Sequence, residues 1–433
     1  MLIPRPILAS LARRLRTLPP GLRIADAEVG IDPLDLVRSG WSAFGHAAFY
    51  ASPEGPVIGT LGAAHRVSTS GPGRLLRLDA GLRSIPPGTP ALVGFAFDED
   101  GAHGPDWEGF PSATLVVPEV AIVRSAGRSR LFIALPPGAE GHLLLTLAAT
   151  LKAPPPTPDD RPRDHAVEPR PSPTDWIGLV DEAVAAIKAG SMQKVVLARS
   201  VVVRADAPIE AFDLVSALRD RYPECRVFGW QEGGATFIGA SPELLVARED
   251  HQFHLAPLAG SAARGTDAEE DRRLGDALLG SAKDRQEHRF VVEDAVQRLR
   301  LLATSLERSP MPVLQRFATV QHLATPIRGT TDARLLALAD ALHPSPAVGG
   351  TPRGDALSFI EKMEEIDRGW YSGGIGWADP SGTGELAMAL RSALIRGNQA
   401  IAYAGNGIVA DSDPATELDE TRLKLRPMLE LLG

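Results

Sequence analysis

The sequence predicts an α/β protein of the α+β type, with helices flanking a largely antiparallel sheet. Three observations carry this. Residues 194–204 (KVVLARSVVVR) are β-branched and read as a strand. Residues 174–189 place Ile177, Val180, Val184 and Ile187 on one helical face, and Gly190 ends the run. Between residues 226 and 255 three strand candidates follow one another with no helix between them. No βαβ rhythm develops, so a parallel sheet is not expected.

At the N-terminus, Leu2, Ile7, Leu8, Leu11 and Leu15 interleave with Arg5, Arg13, Arg14 and Arg16. The run could pass for an organelle transit peptide, but it lacks the apolar core of a secretory signal. A basic amphipathic first helix is the expectation. Residues 91–97 (ALVGFAF) and 113–117 (ATLVV) read as strands between glycine-rich turns. His46, His65 and His103 are scattered among them and make no ligand spacing. Residues 152–173 (KAPPPTPDDRPRDHAVEPRPSP) are expected to form an exposed proline-rich linker between residues 1–151 and 174–433.

After the linker, Thr174 or Asp175 can cap the first helix. A helix over 209–221 closes at Pro223, and strands are expected over 226–231, 236–246 and 252–255. One long helical stretch is expected over 268–306, then a strand pair near 315–326 and two helices between Asp332 and Arg368. Strands over 373–377, 386–395 and 400–403 precede a final helix over 414–432. Asp413 is its expected N-cap, with Pro414 at the first helical position.

Hydrophobic residues make up 44% and charged residues 23%, the balance of a soluble globular protein. A net charge of −9 argues against a nucleic-acid binder, which needs a basic surface. Cys225 is the one cysteine, so no internal disulfide forms and a reducing, cytoplasmic setting is expected. It reads as a small packed residue. No apolar run is long enough to span a bilayer.

Two acidic patterns point to chemistry. Asp284, Glu287 and His288 fall at i, i+3 and i+4, which a helix puts on one face. Glu417 and Glu420 repeat the i, i+3 spacing in the last helix. Carboxylates meeting from two helices would make a hard oxygen site of the kind magnesium takes, with room for water and a substrate anion. By spacing alone, solvated acidic faces are the commoner outcome.

Nine segments in order change that balance. They are KVVLAR (194–199), GASPELLV (239–246), PLAGSAARG (257–265), KDRQEH (283–288) and VQHLATPIRG (320–329). LHPSPAVGGTPR (342–353), RGWYSGGIGW (368–377), MALRSALI (388–395) and AGNGIVADSDPATELDET (404–421) follow. Together they resemble the chorismate-binding enzymes, which include anthranilate, aminodeoxychorismate, salicylate and isochorismate synthases. The resemblance covers residues 174–433, whereas residues 1–151 match the divergent N-terminal portion of these enzymes by position only.

The resemblance implies one large two-lobed body of antiparallel sheets flanked by helices, with the active site between the lobes. It implies Mg2+ held by Glu287 and Glu420, supported by Asp284 and Glu417, gripping the ring carboxylate of chorismate. It assigns Arg391, inside an otherwise apolar strand, to the enolpyruvyl carboxylate, a bidentate task that suits guanidinium. Tyr371 helps the same carboxylate. Gly405, Asn406 and Gly407 bring backbone N–H groups to the substrate, where absent side chains permit close approach. His322 faces the ring, with a core histidine as the alternative.

Isochorismate formation adds water at ring carbon 2 and expels the carbon 4 hydroxyl, so it needs a base and an acid. The resemblance puts Lys194 in the base position, where anthranilate synthases carry glutamine. It puts Glu243 in the acid position, where an apolar setting would keep the carboxyl protonated. Ala347 stands where salicylate and anthranilate synthases carry threonine, which favours stopping at isochorismate. Ala259 departs from the lysine of many aminodeoxychorismate synthases. Arg353, in GGTPR (349–353), replaces the usual lysine without removing an acid, base or metal position. The expected activity is therefore a magnesium-dependent isochorismate synthase feeding siderophore or menaquinone biosynthesis. A salicylate synthase and a catalytically silent chorismate-binding subunit are the alternatives. A monomer without a glutaminase, nucleic-acid or membrane partner is expected.

Overall fold

The computed structural model describes residues 2–138, 148–149, 151–154 and 165–432. Among these residues the strands form a twelve-stranded sheet, a nine-stranded sheet and a three-stranded ribbon. Every strand pairing is antiparallel. The α+β expectation holds.

The N-terminal strands are woven into both sheets. Ala47–Ala51 pairs with Arg226–Glu232 in the larger sheet, and Ala91–Phe95 pairs with Gly374–Ala378 in the smaller. The first helix, Arg5–Thr17, buries Leu8, Leu11 and Leu15 and packs on the strand Arg23–Val29. Burial of each such leucine stabilises by about 2 kcal/mol.

The linker expectation needs correction at its C-terminal end. Residues 155–164 lie outside the described residues, but His165–Arg170 is a strand paired with residues 200–205. Pro169 fits there because the strand lies at a sheet edge, where one row of backbone groups needs no partner. The next helix, Pro173–Lys188, is capped by Ser172, whose hydroxyl accepts from Asp175 N, two residues before Thr174, the nearer of the expected caps.

Three expected elements are each two. The 268–306 stretch divides at Ser281 into Ala268–Gly280 and Ala282–Leu299, and Ser281 Oγ caps the second helix. Its last residues instead begin the strand Ala303–Arg308. The 236–246 run divides into Ala235–Ser241 and Leu244–Glu249 around Pro242. The 386–395 run divides into Gly384–Met388 and Ser392–Arg396.

The last two breaks position the site. Ala235–Ser241 and Ser392–Arg396 pair in the larger sheet, while Leu244–Glu249 and Gly384–Met388 pair in the smaller. Two neighbouring strands therefore cross between sheets side by side, with Glu243 and Arg391 at the crossings. Pro242 has no N–H to donate and ends one ladder. Arg391 adopts a left-handed φ of 48° and turns the other chain. It is thus not inside a strand, as the sequence suggested. Met388 N donates to Glu243 O at 3.1 Å, and Ala240 N donates to Arg391 O at 3.1 Å, locking the crossings together.

Candidate active site

The long strand Lys194–Ala205 forms one wall. Its partner on one side, Gln399–Ile408, sets Gly407 opposite Val196, Asn406 opposite Leu197 and Gly405 opposite Ala198. On its other side, Gly350–Thr351 pairs at the start and His165–Arg170 at the end. Side chains serve part of the gap between them. Ala198 N donates to Glu364 Oε1 at 2.7 Å, and Arg368 Nη2 donates to Val196 O at 2.7 Å.

Lys194, Glu243, Glu287, His322 and Arg391 line one pocket. Ala347, Tyr371, Gly405, Gly407 and Glu420 line the same pocket. Asp284, Asn406 and Glu417 stand behind it. Asn406 Nδ2 donates to Glu417 O at 2.7 Å and to Oε2 at 3.1 Å, so this side chain braces the last helix. His288 turns away from the carboxylates on its helix, and its Nε2 lies 2.7 Å from Thr325 Oγ1.

Lys194 is 1% exposed, and its Nζ lies 2.9 Å from Glu287 Oε1. A buried cation requires such a partner, because an unpaired buried charge is strongly destabilising. Gly407 leaves the space for this pair, since a Cβ there would lie 2.2 Å from Glu287 Oε1 and 2.7 Å from Lys194 Cε. Gly405 is similarly tight, with Tyr371 Oη 3.0 Å from the place its Cβ would take.

Glu243 is buried, and that burial pushes its carboxyl up to about 7, against the opposing hydrogen bond from Leu258 and the charges of Lys194, Arg391 and Lys424. Tyr371 is pushed up to about 12 by burial and stacks on Tyr403 with centroids 5.2 Å apart. Among the described residues Arg391 makes no ion pair or side-chain hydrogen bond, and it lines the pocket.

The acidic groups arrive from two helices. Glu420 pairs with Lys424 at 2.7 Å, and Glu417 pairs with Lys283 at 3.1 Å. Burial, then the charge of Glu287, raises Asp284 against its hydrogen bond from Ser281. Burial and the charge of Glu420 raise Glu417. Burial would raise Glu420 too, but the charge and hydrogen bond of Lys424 outweigh it and hold that carboxyl low. Among the described residues no three His, Cys, Asp or Glu side chains form a ready metal cage. Lysines hold three of the carboxylates instead. The donor set is nevertheless hard oxygen, crowded by like charge, and that chemistry fits a magnesium-type cation.

Sequence reasoning missed several pocket residues. Lys424 was legible as the i+4 neighbour of Glu420. Arg368 was not, because its pairing with Glu364 and its bond to Val196 O depend on how the sheet is assembled. Gly260 and Ser261 sit in a quoted segment but carried no signal of their own.

The sequence profile described as chorismate binding enzyme matches residues 27–433. The chain belongs to the chorismate-binding enzyme family. The match begins well before the segments that first suggested the family, so most of residues 1–151 belongs to it as well. The chain is similar to the salicylate biosynthesis isochorismate synthase of Pseudomonas aeruginosa, at 37% identity over 94% of this chain and 90% of that one. It superposes on the structure of MenF, the menaquinone-specific isochorismate synthase from Escherichia coli, with a TM-score of 0.87 and 28% identity over 99% of both chains. Anthranilate synthase component I from Streptococcus pneumoniae shares the fold, with a TM-score of 0.71 and 23% identity over 87% of this chain and 93% of that one. Among the described residues no helix is long and apolar enough to cross a membrane.

Proposed function

We propose that this chorismate-binding enzyme is an isochorismate synthase that adds water at ring carbon 2 of chorismate and removes the carbon 4 hydroxyl. The observation that carries the reading is one pocket holding a buried carboxyl near neutrality, Glu243, a buried lysine, Lys194, and an unpaired guanidinium, Arg391. The names of the similar proteins point the same way.

In this reading Arg391 and Tyr371 bind the enolpyruvyl carboxylate and orient the ring. Glu243, protonated near neutral pH, gives its proton to the leaving hydroxyl oxygen. Lys194 takes a proton from the attacking water. An ammonium paired with Glu287 cannot accept one, so Lys194 must first give up its proton and its salt bridge. Glu287 and Glu420 would hold Mg2+, with Asp284 and Glu417 in support. When bound, the ion supplies positive charge for the ring carboxylate. Small Ala347 supports isochorismate as the end product, which would feed siderophore or menaquinone biosynthesis.

Incubation of the purified protein with chorismate and Mg2+, followed by product chromatography, tests this. Isochorismate alone is expected. Salicylate with pyruvate would identify a salicylate synthase, and retained chorismate without turnover would identify a silent binding subunit.

A further inference from the structure

The ribbon beside the pocket contains a bulge with a chemical consequence. Leu258–Ala263 pairs with Val320–Ala324, and the register shifts between Ala259 and Ser261. Gly260 is the extra residue and adopts a left-handed φ of 72°. A Cβ there would also lie 3.0 Å from Asp284 Cβ, so both backbone and packing call for glycine.

The bulge directs the Gly260 carbonyl to His322 Nδ1, at 3.1 Å. A carbonyl only accepts, so Nδ1 carries the proton and donates it. Ser261, opposite His322 in the ladder, places its Oγ 3.0 Å from the same nitrogen. The other ring nitrogen, Nε2, is therefore a bare acceptor. It is buried, it has no partner among the described residues, and its ring lines the pocket. His322 as a whole is 5% exposed. Burial and the nearby charges of Arg391 and Lys424 push His322 down to about 3, in keeping with a neutral ring.

We infer that the Gly260 bulge and Ser261 fix His322 as the Nδ1–H tautomer, so that Nε2 accepts a hydrogen bond from the ring hydroxyl of the substrate. This rests on the isochorismate synthase reading. With both carboxylates ionised, chorismate carries one hydrogen-bond donor, its hydroxyl. A neutral acceptor beside Arg391 divides the pocket's tasks: the guanidinium takes the enolpyruvyl carboxylate, and His322 takes the hydroxyl. Donation of the hydroxyl hydrogen to His322 leaves the oxygen's lone pairs for the proton of Glu243. Gly260 and Ser261 are positioning residues, since they act through the imidazole.

Two measurements on the full-length protein test this. A long-range proton–nitrogen correlation spectrum with 15N-histidine, assigned with His322→Phe, should show His322 neutral and protonated at Nδ1 from pH 6 to 8. An Nε2–H tautomer or an imidazolium would overturn the inference whatever the substrate is. The second measurement compares binding of chorismate with 3-(1-carboxyvinyloxy)benzoate, which keeps both carboxylates and lacks the hydroxyl. His322→Phe should weaken chorismate binding about tenfold and leave the benzoate within about twofold. Ser261→Ala, a milder change, should show the same selectivity at about threefold, with recovery in Ser261→Thr. Equal weakening of both ligands would assign His322 a packing role and sink the inference while leaving the proposed function intact. Failure of the wild-type protein to bind either ligand would instead bring down the functional reading, and this inference with it.

Discussion

Lys194 Nζ lies 2.9 Å from Glu287 Oε1, which joins the residue proposed as base to a residue proposed as metal ligand. The strand supplies the cation and the helix Ala282–Leu299 supplies the anion. Each offsets the cost of burying the other, and Gly407 leaves them room. The proposed mechanism needs the lysine without its extra proton, so the resting salt bridge and the proposed chemistry compete for the same amine.

Lys194→Ala should lower chorismate turnover by about two to four orders of magnitude, the usual loss when a general base is removed. Chorismate binding, followed by calorimetry, should survive. Undiminished turnover in this variant would remove Lys194 as the base.

Glu243 predicts a pH dependence. The proposed mechanism needs the protonated carboxyl, so kcat should fall as pH rises through about 7. Stability follows the same sign. The folded state holds this proton more tightly than the unfolded chain, whose carboxyl titrates near 4.5. The folded protein should lose roughly 3 kcal/mol from this group between pH 4.5 and 7. Denaturation series on wild type and Glu243→Gln check this, since the variant should lack that portion of the slope.

Glu420→Ala should abolish metal-dependent activity and leave Lys424 without its 2.7 Å partner. Initial rates across a Mg2+ titration provide the measurement. A magnesium response identical to wild type would exclude Glu420 as a ligand.

Gly407→Ala should lower kcat by roughly a hundredfold, because the new methyl would displace both Lys194 and Glu287. Circular dichroism should show the secondary structure unchanged. Near-normal kcat would mean that the pair's spacing does not matter to the reaction.

Much of the site was legible because its parts sit in short local patterns. Helical spacing alone put Asp284 near Glu287 and Glu417 near Glu420, and Asp413 is the cap expected of it, its carboxylate accepting from Thr416 N at 2.9 Å. His288 shares the first helical face but not the pocket, because a helix face is wide enough to serve packing on one flank and chemistry on the other. Arg391 was misplaced in a continuous strand because its apolar neighbours continue on both sides of the break. A change of sheet leaves no mark on hydrophobic alternation.

The sequence by itself determined the local grammar: β-branched strands, amphipathic helices, their caps, and the ordered segments that resemble the chorismate-binding family. These depend on neighbours within a few residues, where backbone propensity and side-chain periodicity act. Tertiary structure alone decided that Lys194 meets Glu287, that paired sheet crossings present Glu243 and Arg391 together, and that the Gly260 bulge sets the proton on His322. Those relationships join distant segments. Their energies come from burial and pairing, which take effect only once the sheets have assembled around the pocket.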